Sequence, residues 1–202
     1  MAGTRMSNIN AGQIKLTLIG DSLTGKTCMV DVYITRKYNP SLLSTPCEYY
    51  SQPITVDGKE HSAVLMDTSG MAEYDNLRSH FHRNTSCFIM VYSIANRKSF
   101  ENITNRWFPI INKSAEKVPF LLVGTKSDYR AANNNNQNET RKDLVKTKEG
   151  IRLAKKLHAR AFLECSSKEQ INLDQVFMEA IRTLDKKKPD NSWEVCRGCV
   201  IS

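Results

Sequence analysis

The chain has 202 residues, 40% of them hydrophobic, and carries 29 Lys and Arg against 21 Asp and Glu for a net charge of +8. That length suits one domain, and a composition close to the globular average excludes disorder, collagen and coiled coil as descriptions of the whole. The longest apolar stretches, Phe88 to Tyr92 and Phe120 to Val123, fall far short of the roughly 20 residues of a spanning helix. The first residues lack a secretory signal's apolar stretch and six cysteines are too sparse for a disulfide framework, so an intracellular protein with reduced thiols is expected.

Residues 1–12 read as a flexible leader. Residues 13–20 alternate polar and apolar before becoming wholly apolar and breaking at Gly20, the pattern of a strand entering a tight loop, with a helix expected from Gly25 to about Lys37. Two strands follow, 50–56 and 60–66, joined by Asp57-Gly58, a strong hairpin signal that makes them antiparallel. From there strands and helices alternate: strand 87–92, helix 99–113, strand 120–124, helix 148–158, strand 161–165, helix 173–186. Between the second pair, 129–140 contains four consecutive asparagines and reads as a surface loop too polar to pack. Such alternation implies an α/β fold: a mostly parallel six-stranded sheet with one antiparallel strand and helices on both faces. Ligands of open sheets bind beyond the carboxyl ends of the strands, so the functional residues are expected just after strands.

The first of these loops, Gly20-Asp21-Ser22-Leu23-Thr24-Gly25-Lys26-Thr27, satisfies G-x-x-x-x-G-K-[ST] between a strand and a helix. Backbone N–H groups, with Cys28 next in line, would curl around phosphate oxygens, Lys26 would reach the outer phosphates and the Thr27 hydroxyl would hold Mg²⁺. After the third strand comes Asp67-Thr68-Ser69-Gly70, after the fifth Thr125-Lys126-Ser127-Asp128, and after the sixth Glu164-Cys165-Ser166-Ser167-Lys168. A carboxylate at 128 can accept from two N–H donors on guanine's edge, where adenine offers no such pair, and the Lys126 stem can lie along a base.

With these motifs in order, the chain resembles the Rho/Rac branch of the Ras-like small GTPases over roughly residues 13–202. Tyr74-Asp75-Asn76-Leu77-Arg78, Ser99-Phe100-Glu101-Asn102 ahead of Trp107, Thr125, and an insert over 129–147 with its Asn-rich loop at 133–138 carry the branch-level likeness. The resemblance implies a P-loop NTPase fold over 13–185 that binds GTP or GDP with Mg²⁺ and hydrolyses GTP. Asp67 would organise the metal through water and the Gly70 N–H would meet the γ-phosphate. Tyr38 would pack against the guanine, which backbone N–H groups of Ser166, Ser167 and Lys168 would meet, and Thr45 would contact both Mg²⁺ and γ-phosphate. Metal ligands would thus be Thr27 and Thr45. Leu42, Leu43, Ser44, Thr45, Pro46, Cys47, Glu48, Tyr49 and Tyr50 would form the effector-facing loop. Effector proteins, exchange factors, GTPase-activating proteins and a dissociation inhibitor are the implied partners of a monomer that signals to the actin cytoskeleton.

Three departures qualify that expectation. Ser22 replaces a third phosphate-loop glycine, and Met71 occupies the position of the catalytic glutamine. A glutamine amide orients the attacking water, which a thioether cannot do. Ser22 stands where an incoming arginine, worth roughly 10³ to 10⁵ in rate, needs room. Slow hydrolysis and a GTP-biased switch are expected, with a non-enzymatic module that holds GTP constitutively as the alternative. Cys47 replaces an interface aromatic, so the usual partners do not transfer directly.

The remaining charge is local. Glu139 to Arg160 holds eight Lys or Arg against three acids, a solvated face or one suited to an anionic membrane. No base-reading module accompanies it, so nucleic acid is not an expected partner. The tail, 186–202, ends in Cys199-Val200-Ile201-Ser202, a C-a-a-X prenylation pattern whose terminal serine favours farnesyl. One lipid anchors only marginally, so palmitate on Cys196 is the expected second signal. The predicted location is the cytoplasmic face of the plasma membrane.

Overall fold

The computed structural model describes residues 12–42, 47–115, 117–132 and 143–185. Its centre is a six-stranded sheet of order β2-β3-β1-β4-β5-β6, with β1 at Ile14–Ile19, β2 at Cys47–Val56, β3 at Lys59–Thr68, β4 at Cys87–Ser93, β5 at Phe120–Thr125 and β6 at Ala161–Glu164. All neighbours are parallel except β2 and β3, which pair antiparallel from Cys47 opposite Thr68 to Val56 opposite Lys59. Asp57 and Gly58 both take positive φ, 50° and 81°, the backbone signature of a two-residue primed turn. Arg182 grips the Asp57 carboxylate through two nitrogens at 2.9 and 2.6 Å.

Every residue of β4, β5 and β6 is buried, because helices cover both sheet faces. Successive side chains of β4 therefore enter different cores. Ile89 and Val91 pack with Leu16, Leu18 and Leu163 under α1 (Lys26–Thr35) and α7 (Leu173–Asp185). Phe88, Met90 and Tyr92 face Ile103, Trp107 and Ile111 on the other side, where α6 (Thr147–Lys156) adds Ala154. α6 and α7 each run back from the carboxyl edge of the sheet, so both end at the edge opposite the phosphate loop.

The expected strands and hairpin are present, with β2 beginning three residues earlier than its apolar alternation implied. The long helix expected over 99–113 is instead α3 (Arg97–Asn102), a π turn at Ile103–Trp107 and α4 (Phe108–Ala115), the wider turn being marked by Phe108 N–H donating to Ile103 O, five residues back. Asn96 caps α3, its side chain accepting from Ser99 N–H. A 3₁₀ stretch at Ala72–Leu77 followed by α2 (Arg78–His82), and α5 (Asp128–Ala132) at the start of the expected surface loop, follow no pattern in the residues. Arg130 explains the last: it forms a two-pronged pair with buried Glu164 and drags the chain back onto β6. The Asn-rich loop at 133–138 and the tail lie outside the described residues.

Candidate functional site

The four loops leaving the carboxyl ends of β1, β3, β5 and β6 converge on a cavity of about 660 Å³. Gly25, at φ 95°, is the N-cap of α1 and provides no side-chain cap, so the first N–H groups of the helix face the cavity as an anion cradle. Lys26 is buried, and its Nζ donates to the carbonyls of Gly20 and Asp21 at 2.9 and 2.8 Å. The Thr27 hydroxyl donates to Asp67 Oδ2 at 2.6 Å, placing a hydroxyl and a fully buried carboxylate side by side. That hard-oxygen donor pair beside an anion cradle fits Mg²⁺. Gly70 lies directly against the phosphate loop: a Cβ there would stand 2.2 Å from the Ser22 nitrogen, so no other residue is accommodated without moving one of the two loops.

The opposite wall is tied to the same loop. Thr125 Oγ1 donates to Thr24 O and contacts Tyr92 O at 3.0 Å, while Lys126, itself at φ 61°, donates from Nζ to Leu23 O at 2.9 Å. Ser127 N–H donates to Cys165 O at 3.1 Å, and Ser166 Oγ donates to Asp128 Oδ1 at 2.6 Å. Asp128 is thus oriented by the loop after β6 with its other oxygen available to a ligand's donors. Burial pushes the Cys28 thiol above its ordinary pKa, with a hydrogen bond to Ser167 opposing the shift.

The structure gathers most of the expected residues around this cavity: Ser22, Leu23, Gly25, Lys26, Thr27, Cys28, Tyr38, Leu42, Gly70, Thr125, Lys126, Asp128, Ser167 and Lys168 line it. Gly20, Asp21, Thr24, Asp67 and Ser166 support that lining from behind through the bonds just given. Met71 is 46% exposed beside Gly70 and outside the lining. Cys47, Glu48, Tyr49 and Tyr50 belong to β2, the edge strand of the sheet, where Tyr50 hydroxyl donates to Glu48 on the same strand face. Leu43, Ser44, Thr45, Pro46, Cys196 and Cys199 lie outside the described residues. Asn39, Pro40, Thr68, Ser69 and Tyr129 also line the cavity and were not singled out beforehand. Adjacency to Asp128 was the available signal for Tyr129, which with Leu23 and Tyr38 makes the rim apolar and exposed.

A cavity that offers an uncapped helix N-terminus with a lysine at one end, a hydroxyl–carboxylate pair beside it and a carboxylate oriented for N–H donors at the other is built for a purine nucleotide with its phosphates. The comparisons agree. The Ras family model matches residues 15–186. Over 184 residues, 91% of this chain and 93% of the relative, the sequence is 36% identical to Ras-like GTP-binding protein RhoL of Drosophila melanogaster.

Proposed function

The chain belongs to the Ras family of small GTPases, switches that bind GTP and GDP and hydrolyse GTP, and on that premise we propose that it is a lipid-anchored switch of Rho/Rac type biased toward its GTP state. The observation that carries the bias is the pair Ser22 and Met71. Ser22 lines the cavity where its backbone meets Gly70, and Met71 follows directly with its own N–H donating to Ser69 Oγ at 3.2 Å. A thioether offers a water no donor and only a weak acceptor, so nothing at 71 orients the nucleophile.

The remaining machinery favours binding. Lys26 and the α1 N-terminus would hold the phosphates, and Asp128 with the Lys126 stem would select guanine. Thr27, with Asp67 behind it, and Thr45 would hold Mg²⁺, which when bound neutralises developing phosphate charge. Glu48 and Tyr50 present an edge-strand face to effectors, and Cys47 in place of an aromatic sets that partner list apart.

Membrane attachment rests on Cys199 and Cys196 and on charge. From Gly150 to Arg160 there is no acid, and Lys155, Lys156 and His158 are exposed at the end of α6, the sheet edge at which α7 also ends. Arg160 N–H donates to Phe120 O there, which brings the loop holding exposed Lys117 alongside. A basic edge beside the start of a lipidated tail suits an anionic leaflet and turns the cavity toward the cytosol.

A single-turnover assay of GTP-loaded protein tests the bias. Persistence of bound GTP well beyond ordinary Rac-like rates is expected, and strong acceleration by a GTPase-activating protein refutes it. Nucleotide extracted from purified protein separates a slow switch from a constitutive GTP-holding module: the first contains GDP as well as GTP, the second GTP alone. Cell fractionation tests the anchor, since Cys199→Ser should move the protein to the soluble fraction.

A further inference from the structure

Asp21 is the one phosphate-loop residue whose side chain turns away from the cavity into a neighbouring helix. Its Oδ1 accepts from Trp107 Nε1 at 2.8 Å and its Oδ2 from Asn102 Nδ2 at 2.6 Å. Arg106 stacks on the Trp107 ring with its guanidinium carbon 4.7 Å from the ring centroid, and it lies 4.0 Å from the same carboxylate. From there Arg106 donates to Gly70 O at 3.2 Å. In an α-helix, residues 102 and 107 would point about 140° apart. The π turn between them is wider, which gathers Asn102, Arg106 and Trp107 on the side that faces the two phosphate loops.

The backbone of Asp21 has a second task. Its carbonyl accepts from Lys26 Nζ at 2.8 Å and from Thr24 Oγ1 at 2.8 Å. The residue clamped by the helix therefore carries the oxygen on which the phosphate-reaching lysine rests, while Arg106 grips the carbonyl of the glycine whose backbone lies against Ser22.

We propose that Asn102, Arg106 and Trp107 are positioning residues that hold the phosphate loop and Gly70 in register, so that this helix governs how long a nucleotide stays bound and how strongly the terminal phosphate is sensed. The inference rests on the nucleotide reading of the cavity and is independent of slow hydrolysis. Trp107 keeps the Asp21 side, and Arg106 joins that side to the loop that responds to the third phosphate. Polar bonds to a charged group perform the task, so Trp107→Phe, which keeps the bulk and removes one of the donors, should act in the same direction as removal of the carboxylate.

The test is dissociation of fluorescently labelled GDP and of a labelled non-hydrolysable GTP analogue from the full chain with Mg²⁺. Trp107→Phe and Asp21→Ala should each speed release of both about tenfold or more, the scale of losing a hydrogen bond to a charged group. The double variant should be no faster than Asp21→Ala alone, because removing the carboxylate already removes the Trp107 bond. Arg106→Ala should accelerate loss of the GTP analogue more than loss of GDP, and Arg106→Lys should restore most of the difference. Release rates unchanged in Trp107→Phe while its melting temperature falls would make the helix a packing element only and overturn the proposal. Multiplying effects in the double variant, or equal acceleration of both nucleotides by Arg106→Ala, would overturn it as well. Failure of the unmodified chain to bind either nucleotide would instead bring down the reading of the cavity itself, and the proposal with it.

Discussion

Tyr92→Phe should make this protein more stable without changing its nucleotide affinity. Tyr92 is fully buried on β4, and its hydroxyl has no hydrogen-bond partner among the described residues. The slot that holds it is made by two missing side chains: a Cβ on Gly150 would stand 2.7 Å from the hydroxyl oxygen and one on Gly124 2.8 Å. Burial, reinforced by the charge of Glu164, pushes the phenol well above its ordinary pKa, so it remains a neutral, unsatisfied polar group. Leaving such a group dry costs about 1 to 3 kcal/mol. Removing one oxygen opens a gap of roughly 10 to 15 Å³, worth about 0.3 kcal/mol at 24 cal/mol per Å³. The net gain is therefore about 1 kcal/mol or more, or about 2 to 4 °C in melting temperature for a domain of this size. The melt should be read by calorimetry or by circular dichroism with bound GDP and free Mg²⁺ held fixed, since ligand raises the midpoint by mass action. The contact of Tyr92 with Thr125 runs through the Tyr92 carbonyl, which phenylalanine keeps, so labelled GDP should dissociate at the unmodified rate. A midpoint lowered by 2 °C or more would mean that the hydroxyl is held by a favourable bond, and the reasoning fails.

Three further outcomes are expected. The double replacement Ser22→Gly with Met71→Gln should raise single-turnover GTP hydrolysis at least about tenfold and restore acceleration by a GTPase-activating protein; no change would place the limitation elsewhere. Lys15 is buried with its ammonium on the carbonyls of Phe81 and Arg83 at 2.7 and 2.8 Å, and burial pulls its pKa down to about 8. Below pH 8 both folded and unfolded chains hold that proton, and between pH 8 and about 10.5 only the unfolded chain does. Stability measured by urea titration should therefore rise with pH through that window by up to about 3 kcal/mol relative to Lys15→Met, and then level off; a difference independent of pH refutes the assignment. Cys47, whose thiol burial pushes up to about 11 with Asp67 adding to the shift, should react with iodoacetamide at pH 8 about 10² times more slowly than an ordinary thiol, as read by peptide mass mapping; labelling at the ordinary rate would show the thiolate to be accessible.

What the sequence made legible were features whose causes are local. Gly20 to Thr27 and Asp57-Gly58 demand their backbone shapes wherever they stand, and the apolar runs at 87–92 and 120–124 announce strands covered on both faces. The π turn was illegible because Asp21, 86 residues from Trp107, supplies the partner that rewards it. α5 was hidden for the same reason, since Arg130 looks like part of a polar loop until Glu164 is brought beneath it. Cys47 to Tyr49 read as effector loop and are also strand, because Thr68, Asp67 and Met66 of β3 pair with them. The cavity was legible as four motifs, while the bonds that lash one motif to another were not.

Those bonds have a mechanical consequence. Thr125 and Lys126 hold the carbonyls of Thr24 and Leu23, Ser166 holds Asp128, and Ser127 holds Cys165, so the segments that would grip base and phosphate are coupled to one another through the protein's own bonds. A factor that hastens exchange then has a short route: prising Lys126 from Leu23 loosens the base wall and the phosphate wall in one movement.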